Sequence, residues 1–206
     1  MYRPIHLNWY CTRVDIPDIE SIRQELIHVC QLDQSGYRTN PTAYNIGKDI
    51  VMENCPKLVQ YMTSKGIDKK FNRLLITKKI NDAADNMVHV DSYNPKYTHQ
   101  SLNLGLCDYE SSCTSWYDTN EQKLYDSAQF GLEPEKSFAF IEIEKTREIF
   151  RLFYDNHAYL VNTSILHKGN SQKPNRIIGG LRFLPELDEH DLRNMGIEKP
   201  YEQSYV

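Results

Sequence analysis

A mainly β protein with helices at its N-terminus, built as a jelly-roll sandwich or barrel, is the fold class predicted for these 206 residues. Two observations predict it. From residue 73 onward, short β-favouring runs recur between turn residues: RLLITKKI, SLNLGL, CTSWYD, SFAFIEIE, AYLVNT and RIIGGLRF. Before residue 73 the apolar residues recur at helical spacing instead. The 14 tyrosines agree with this reading, because tyrosine suits a pleated, half-buried surface.

Taken in order, the first element is an amphipathic helix over 18–32, with Ile19, Ile22, Leu26 and Val29 on one face and Asp18 placed to cap it. A second helix is predicted over 49–65. Cys55, Leu58, Val59 and Met62 form its apolar stripe, and Gly66 is placed to end it in a left-handed turn. Between the two, QSGYRTNPTAYNIG reads as a turn-rich loop, 33–48, lying over something. Among the later runs, REIFRLFYD at 147–155 fits helix or strand equally. The final LDEHDLRNMGIEKPYEQSYV reads as peripheral. The length suits a single domain, 1–206, with helical support over 1–72, a β core over 73–184 and a C-terminal tail over 185–206.

Composition removes several classes of function. The net charge of −4 gives no footprint for nucleic acid, and the densest basic stretch, KGIDKKFNR at 65–73, reads as a solvated helix end. Five cysteines, an odd number without a C-x-x-C, read as reduced and mostly buried thiols. The N-terminus lacks the apolar run of a signal peptide, and no run of about 18 apolar residues occurs, so a cytoplasmic protein without a membrane segment is expected. There is no G-x-S-x-G, P-loop or G-x-G-x-x-G.

One constellation carries chemistry. In NMVHVDSYNPKYTHQSLNLGL, His89 and Asp91 are two apart; on an extended chain both project from the same face. A third partner stands in YLVNTSILHKGNSQKPNRIIGGLRF, where His167 follows a strand pattern, a polar turn comes next and Arg176 opens the last strand. Two imidazoles and a carboxylate make a facial set of ligands that leaves the other side of an octahedral metal open, which points to Fe(II) and oxygen chemistry.

At these residues the sequence resembles the Fe(II)/2-oxoglutarate-dependent oxygenases, and among them is similar to the aspartyl/asparaginyl β-hydroxylase group. The resemblance covers about 73–184 and rests on HVD at 89–91, LNLGL at 102–106, SWYD at 115–118 and NTSILHKGNSQKPNRIIGGLRF at 162–183. It implies a double-stranded β-helix of cupin-like form, with iron held by His89, Asp91 and His167 at its mouth. It further implies that Arg176, nine residues after the distal histidine, holds the far carboxylate of 2-oxoglutarate. An arginine fork suits that task on physical grounds too. Asn103 falls where the group places a polar residue that contacts the co-substrate. The pattern is broken twice: Ile178 replaces the hydroxyl residue expected two after the arginine, and Ser101 stands where an arginine is common. Arg182 therefore competes with Arg176 for the clamp, and the other of the two would meet the substrate.

Two functions follow. The first is a dioxygenase that uses Fe(II), 2-oxoglutarate and O2 to hydroxylate an unactivated C–H bond of a small molecule, or of an amino-acid or peptide side chain. The second is a non-catalytic, cupin-like metal- or ligand-binding module. Around the site, His99 and His157 read as structural. Trp116 and Tyr117 divide between core and cavity wall, and Asn162 either caps a turn or touches substrate.

Overall fold

The computed structural model describes residues 9–32, 43–78, 87–91, 99–121, 124–126, 139–171 and 176–198. A short strand, β1 (Cys11–Val14), precedes α1 (Ile19–Leu32). Ile22, Leu26 and Val29 lie fully buried on one face of α1, as their spacing predicts. Burial of such a side chain is worth about 1.5–3 kcal/mol before chain entropy is counted. Asp18, just before α1, has a left-handed backbone (φ 56°). Its carboxylate accepts from Ser21 Oγ at 2.7 Å and pairs with Lys57.

The stretch predicted as one helix is two, α2 (Lys48–Asn54) and α3 (Pro56–Ser64). Pro56 is the cause, since it lacks an N–H and its ring drives the preceding residue out of the helical region; Cys55 sits at φ −122°, ψ 65°. The apolar stripe survives the break, with Cys55, Leu58 and Met62 buried, and Gly66 follows the helix end at φ 73°.

The remaining strands are β2 (Ala43–Gly47), β3 (Phe71–Lys78), β4 (Met87–Val90), β5 (Gln100–Cys107), β6 (Ser112–Asp118), β7 (Tyr125–Asp126), β8 (Ala139–Glu142), β9 (Arg147–Phe153), β10 (Ala158–Asn162), β11 (His167–Ser171) and β12 (Ile177–Phe183). They form two antiparallel sheets, ordered β1-β10-β5-β12-β3-β2 and β7-β8-β4-β11-β6-β9. The chain changes sheet at each step from β3 to β6, returns within the second sheet as β9, and changes again through β10, β11 and β12. This path is the predicted double-stranded β-helix.

Three readings of the chain are corrected and one open choice is settled. Residues 43–47, taken as part of a loop, form the edge strand β2; residues 33–42 lie outside the described residues. REIFRLF resolves as strand because it pairs with β6. KGNS, read as the start of the polar turn after His167, is part of β11, held between β4 and β6. The segment read as peripheral carries α4 (Glu189–Asn194), and Leu187, Leu192, Met195 and Ile197 join the core on the helix side.

Alternation along the first sheet separates two layers. Leu102, Leu104 and Leu106 of β5, Ala158 and Leu160 of β10, and Leu181 and Phe183 of β12 pack with α1, α2 and α3. The alternate positions point between the sheets, where Tyr159, Val161 and Ile178 meet Trp116, Leu152 and Tyr154. Thus the helices brace one face and leave the inner layer to build a site.

Candidate metal centre

On β4, Val88 and Val90 are buried in an apolar cluster with Ile141 and Leu166, so His89 between them faces the other way. β11 pairs with β4 at a single rung, which sets His167 directly opposite His89, and β6 sets Trp116 opposite His167 on its other side. The two imidazole centroids lie 4.6 Å apart at 50°. Asp91 closes the group: its Oδ1 stands 3.4 Å from His89 Nε2 and 3.5 Å from His167 Nε2.

The donor set fits a divalent metal. One ligand atom from each of His89, Asp91 and His167 lies within 4.8 Å of the others. Two ligands held at about 2.1 Å and at right angles stand about 3 Å apart, so only a small closure is needed. His167 Nδ1 lies 2.9 Å from the Ile165 carbonyl and donates to it, which fixes the ring with Nε2 toward Asp91 as the atom available to a metal. His89 stands at the open side, its side chain 38% exposed, whereas that of His167 is 10% exposed.

Asp91 is held from behind by Arg182, whose NH2 group donates to Oδ2 at 2.5 Å while NH1 donates to Thr163 Oγ1 at 3.3 Å. Burial by itself raises the Asp91 carboxyl; Arg182 and His167 outweigh it and hold the group well below the usual carboxylate range.

Arg176 is as buried as Arg182 but differs from it in its contacts. It is buried, its Nε has no hydrogen-bond partner, and no carboxylate pairs with it among the described residues. Burial pulls its pKa below the ordinary arginine value. The guanidinium lies against Gly169, two residues beyond His167 on the same face of β11. Nearby, Tyr154 OH receives a hydrogen bond from Asn103 Nδ2 at 2.9 Å and is 3.0 Å from Thr114 Oγ1, and Ser101 Oγ donates to Asn103 Oδ1 at 2.6 Å.

The structure therefore brings His89, Asp91 and His167 together and separates the two arginines, one committed to Asp91 and one that no carboxylate pairs with among the described residues. Asn103 points inward, but its amide is engaged by Tyr154 and Ser101. Ile178 is buried between the sheets. Trp116 faces inward, donating to the Asn162 carbonyl at 2.9 Å, and Tyr117 faces the outer cluster. Asn162 caps the turn, accepting from Ser164 N at 3.0 Å. His157 lies 2.8 Å from an Asp155 oxygen at the surface, whereas His99 is buried with neither ring nitrogen hydrogen-bonded among the described residues. Tyr154, Thr114 and Thr163 were not singled out by the sequence, because only cross-strand register brings them to the site.

No protein-family model matches the chain, and no curated protein matches it. Among solved structures it is similar to the epimerase SnoN in complex with Fe3+, alpha ketoglutarate and nogalamycin RO, with a TM-score of 0.47, 9% identity, and coverage of 86% of this chain and 79% of that one. A second structure of the non-heme alpha ketoglutarate dependent epimerase SnoN, from nogalamycin biosynthesis, gives a TM-score of 0.44, 7% identity, and coverage of 86% and 78%. Values at this level do not carry chemistry from one protein to another. No helix among the described residues is long and apolar enough to cross a membrane.

Proposed function

We propose that the chain is an Fe(II)- and 2-oxoglutarate-dependent dioxygenase that hydroxylates an unactivated C–H bond of a small molecule, or of an amino-acid or peptide side chain as in the β-hydroxylases it resembles. One observation carries the reading: Arg176 is a buried cation that no carboxylate pairs with among the described residues, one strand step from a histidine–aspartate–histidine group. Burying an unpaired charge is costly, and an anionic co-substrate supplies the partner.

His89, Asp91 and His167 would hold the iron. With 2-oxoglutarate and O2, the iron supplies the oxidation of the C–H bond. Gly169 lies two residues from His167, roughly 6.5 Å along the strand, a length that a five-carbon dicarboxylate spans between a metal and Arg176. The arginine fork takes the far carboxylate in paired hydrogen bonds. Tyr154 and Thr114 offer the hydroxyl contact that Ile178 lacks. Trp116, Tyr159, Val161 and Ile178 make the inner end of the site apolar and exclude water. None of the five cysteines is in a disulfide, which suits the cytoplasm.

The test is anaerobic addition of Fe(II) and 2-oxoglutarate to the full chain, followed by air. A visible charge-transfer band, then slow succinate formation that depends on Fe(II), is expected. Absence of both with iron bound at the site would leave the non-catalytic binding module as the better reading.

A further inference from the structure

Arg182 is engaged in a way that a co-substrate clamp would not be. Its side chain is 8% exposed, and its guanidinium contacts are Asp91 Oδ2 at 2.5 Å and Thr163 Oγ1 at 3.3 Å. Thr163 anchors the Asp91 main chain as well, since its carbonyl accepts from Asp91 N at 3.1 Å, and its own N–H donates to the His99 carbonyl at 2.8 Å. Guanidinium and ligand are thus fixed to one residue of the β10–β11 connection. The two oxygens of Asp91 consequently have different partners, Oδ2 the arginine and Oδ1 the two imidazole Nε2 atoms.

A carboxylate left free beside a divalent cation can bind it through one oxygen or both. With Oδ2 occupied by a charge-assisted hydrogen bond, the second mode is closed. We propose that Arg182 is a positioning residue that holds Asp91 as a one-oxygen ligand, so that the metal keeps three positions open. This rests on the metal reading above. Without Arg182, Oδ2 turns onto the metal, and one of the positions needed by a chelating co-substrate and O2 is lost.

The experiment uses the full chain with Mn(II) alone and counts metal-bound water from the broadening of the Mn(II) resonance in 17O-labelled water. Three waters are expected in wild type and in Arg182→Lys, which keeps a donor to Oδ2, and two in Arg182→Met. Mn(II) affinity in Arg182→Met should stay within about tenfold of wild type, because the variant gains a ligand oxygen and loses a neighbouring cation. A merely structural role would instead weaken binding and leave the count at three. Two waters in wild type, or three in Arg182→Met, overturns the proposal while leaving the metal site intact. No Mn(II) bound by wild type, or binding undiminished in His167→Ala, removes the site reading and the proposal with it. If Arg182→Met does not fold, Arg182→Leu is read in its place, with two waters upholding the proposal and three overturning it.

Discussion

The Arg176 guanidinium packs so closely on Gly169 that a Cβ at residue 169 would stand 2.8 Å from its NH2 group. The glycine is thus the floor on which the arginine rests. Gly169→Ala should shift the flexible guanidinium rather than the backbone, leaving stability and metal binding nearly unchanged. Affinity for 2-oxoglutarate should fall about tenfold, or ~1.4 kcal/mol. Titration of the metal-loaded protein with 2-oxoglutarate measures it.

Arg176→Met should weaken 2-oxoglutarate binding by roughly 30-fold or more, from loss of a contact worth about 2–5 kcal/mol. Its thermal midpoint should hold or rise, because a buried cation that no carboxylate pairs with among the described residues is replaced by an apolar chain of similar length. A lower midpoint in calorimetry would mean that Arg176 has a structural partner.

The three ligand positions should separate by what each substitution leaves behind. His89→Ala and His167→Ala should abolish stoichiometric Fe(II) while the protein stays folded, since both Nε2 atoms face Asp91 and side chains aimed at a metal contribute little to core packing. Asp91→Ala should also unfold more easily without metal, because Arg182 is left buried without its counter-ion. Breaking such a pair costs about 3–5 kcal/mol when fully buried. Metal analysis beside denaturant unfolding of all three apo-proteins tests the distinction.

At the start of α4, Asp188 caps the helix and pairs with Lys70 at 2.8 Å, and its pKa is lowered to about 2 from 3.8 by Lys70 first and the Asp191 N–H next. A folded-state pKa below the unfolded one means stability present above about 3.8 and lost as the pH falls toward about 2. Asp188→Asn keeps a capping oxygen but not the charge. The difference in unfolding midpoint between wild type and this variant should therefore be largest at neutral pH and vanish near pH 2. A difference that persists in acid would assign the effect to the cap instead.

Local spacing determined a good deal of this protein. The buried face of α1 at Ile22, Leu26 and Val29, the alternation in SLNLGL and RIIGGLRF, and the shared face of His89 and Asp91 all depend on residues a few positions apart. Helical and extended geometry convert such spacing directly into direction. The break at Pro56 was legible too, but the apolar stripe that continues across it masked the signal.

Only tertiary structure decided the rest, because the deciding contacts join residues far apart in sequence. HKGNS is polar and carries a glycine, so its local preference is for a turn; it is a strand because β4 and β6 pair with it from both sides. Arg176 and Arg182 look equivalent along the chain, being inward-facing arginines six residues apart. Asp91 lies beside the second, and no carboxylate pairs with the first among the described residues. Register across the sheets, a property of no single segment, sets which arginine meets a carboxylate among the described residues and which does not.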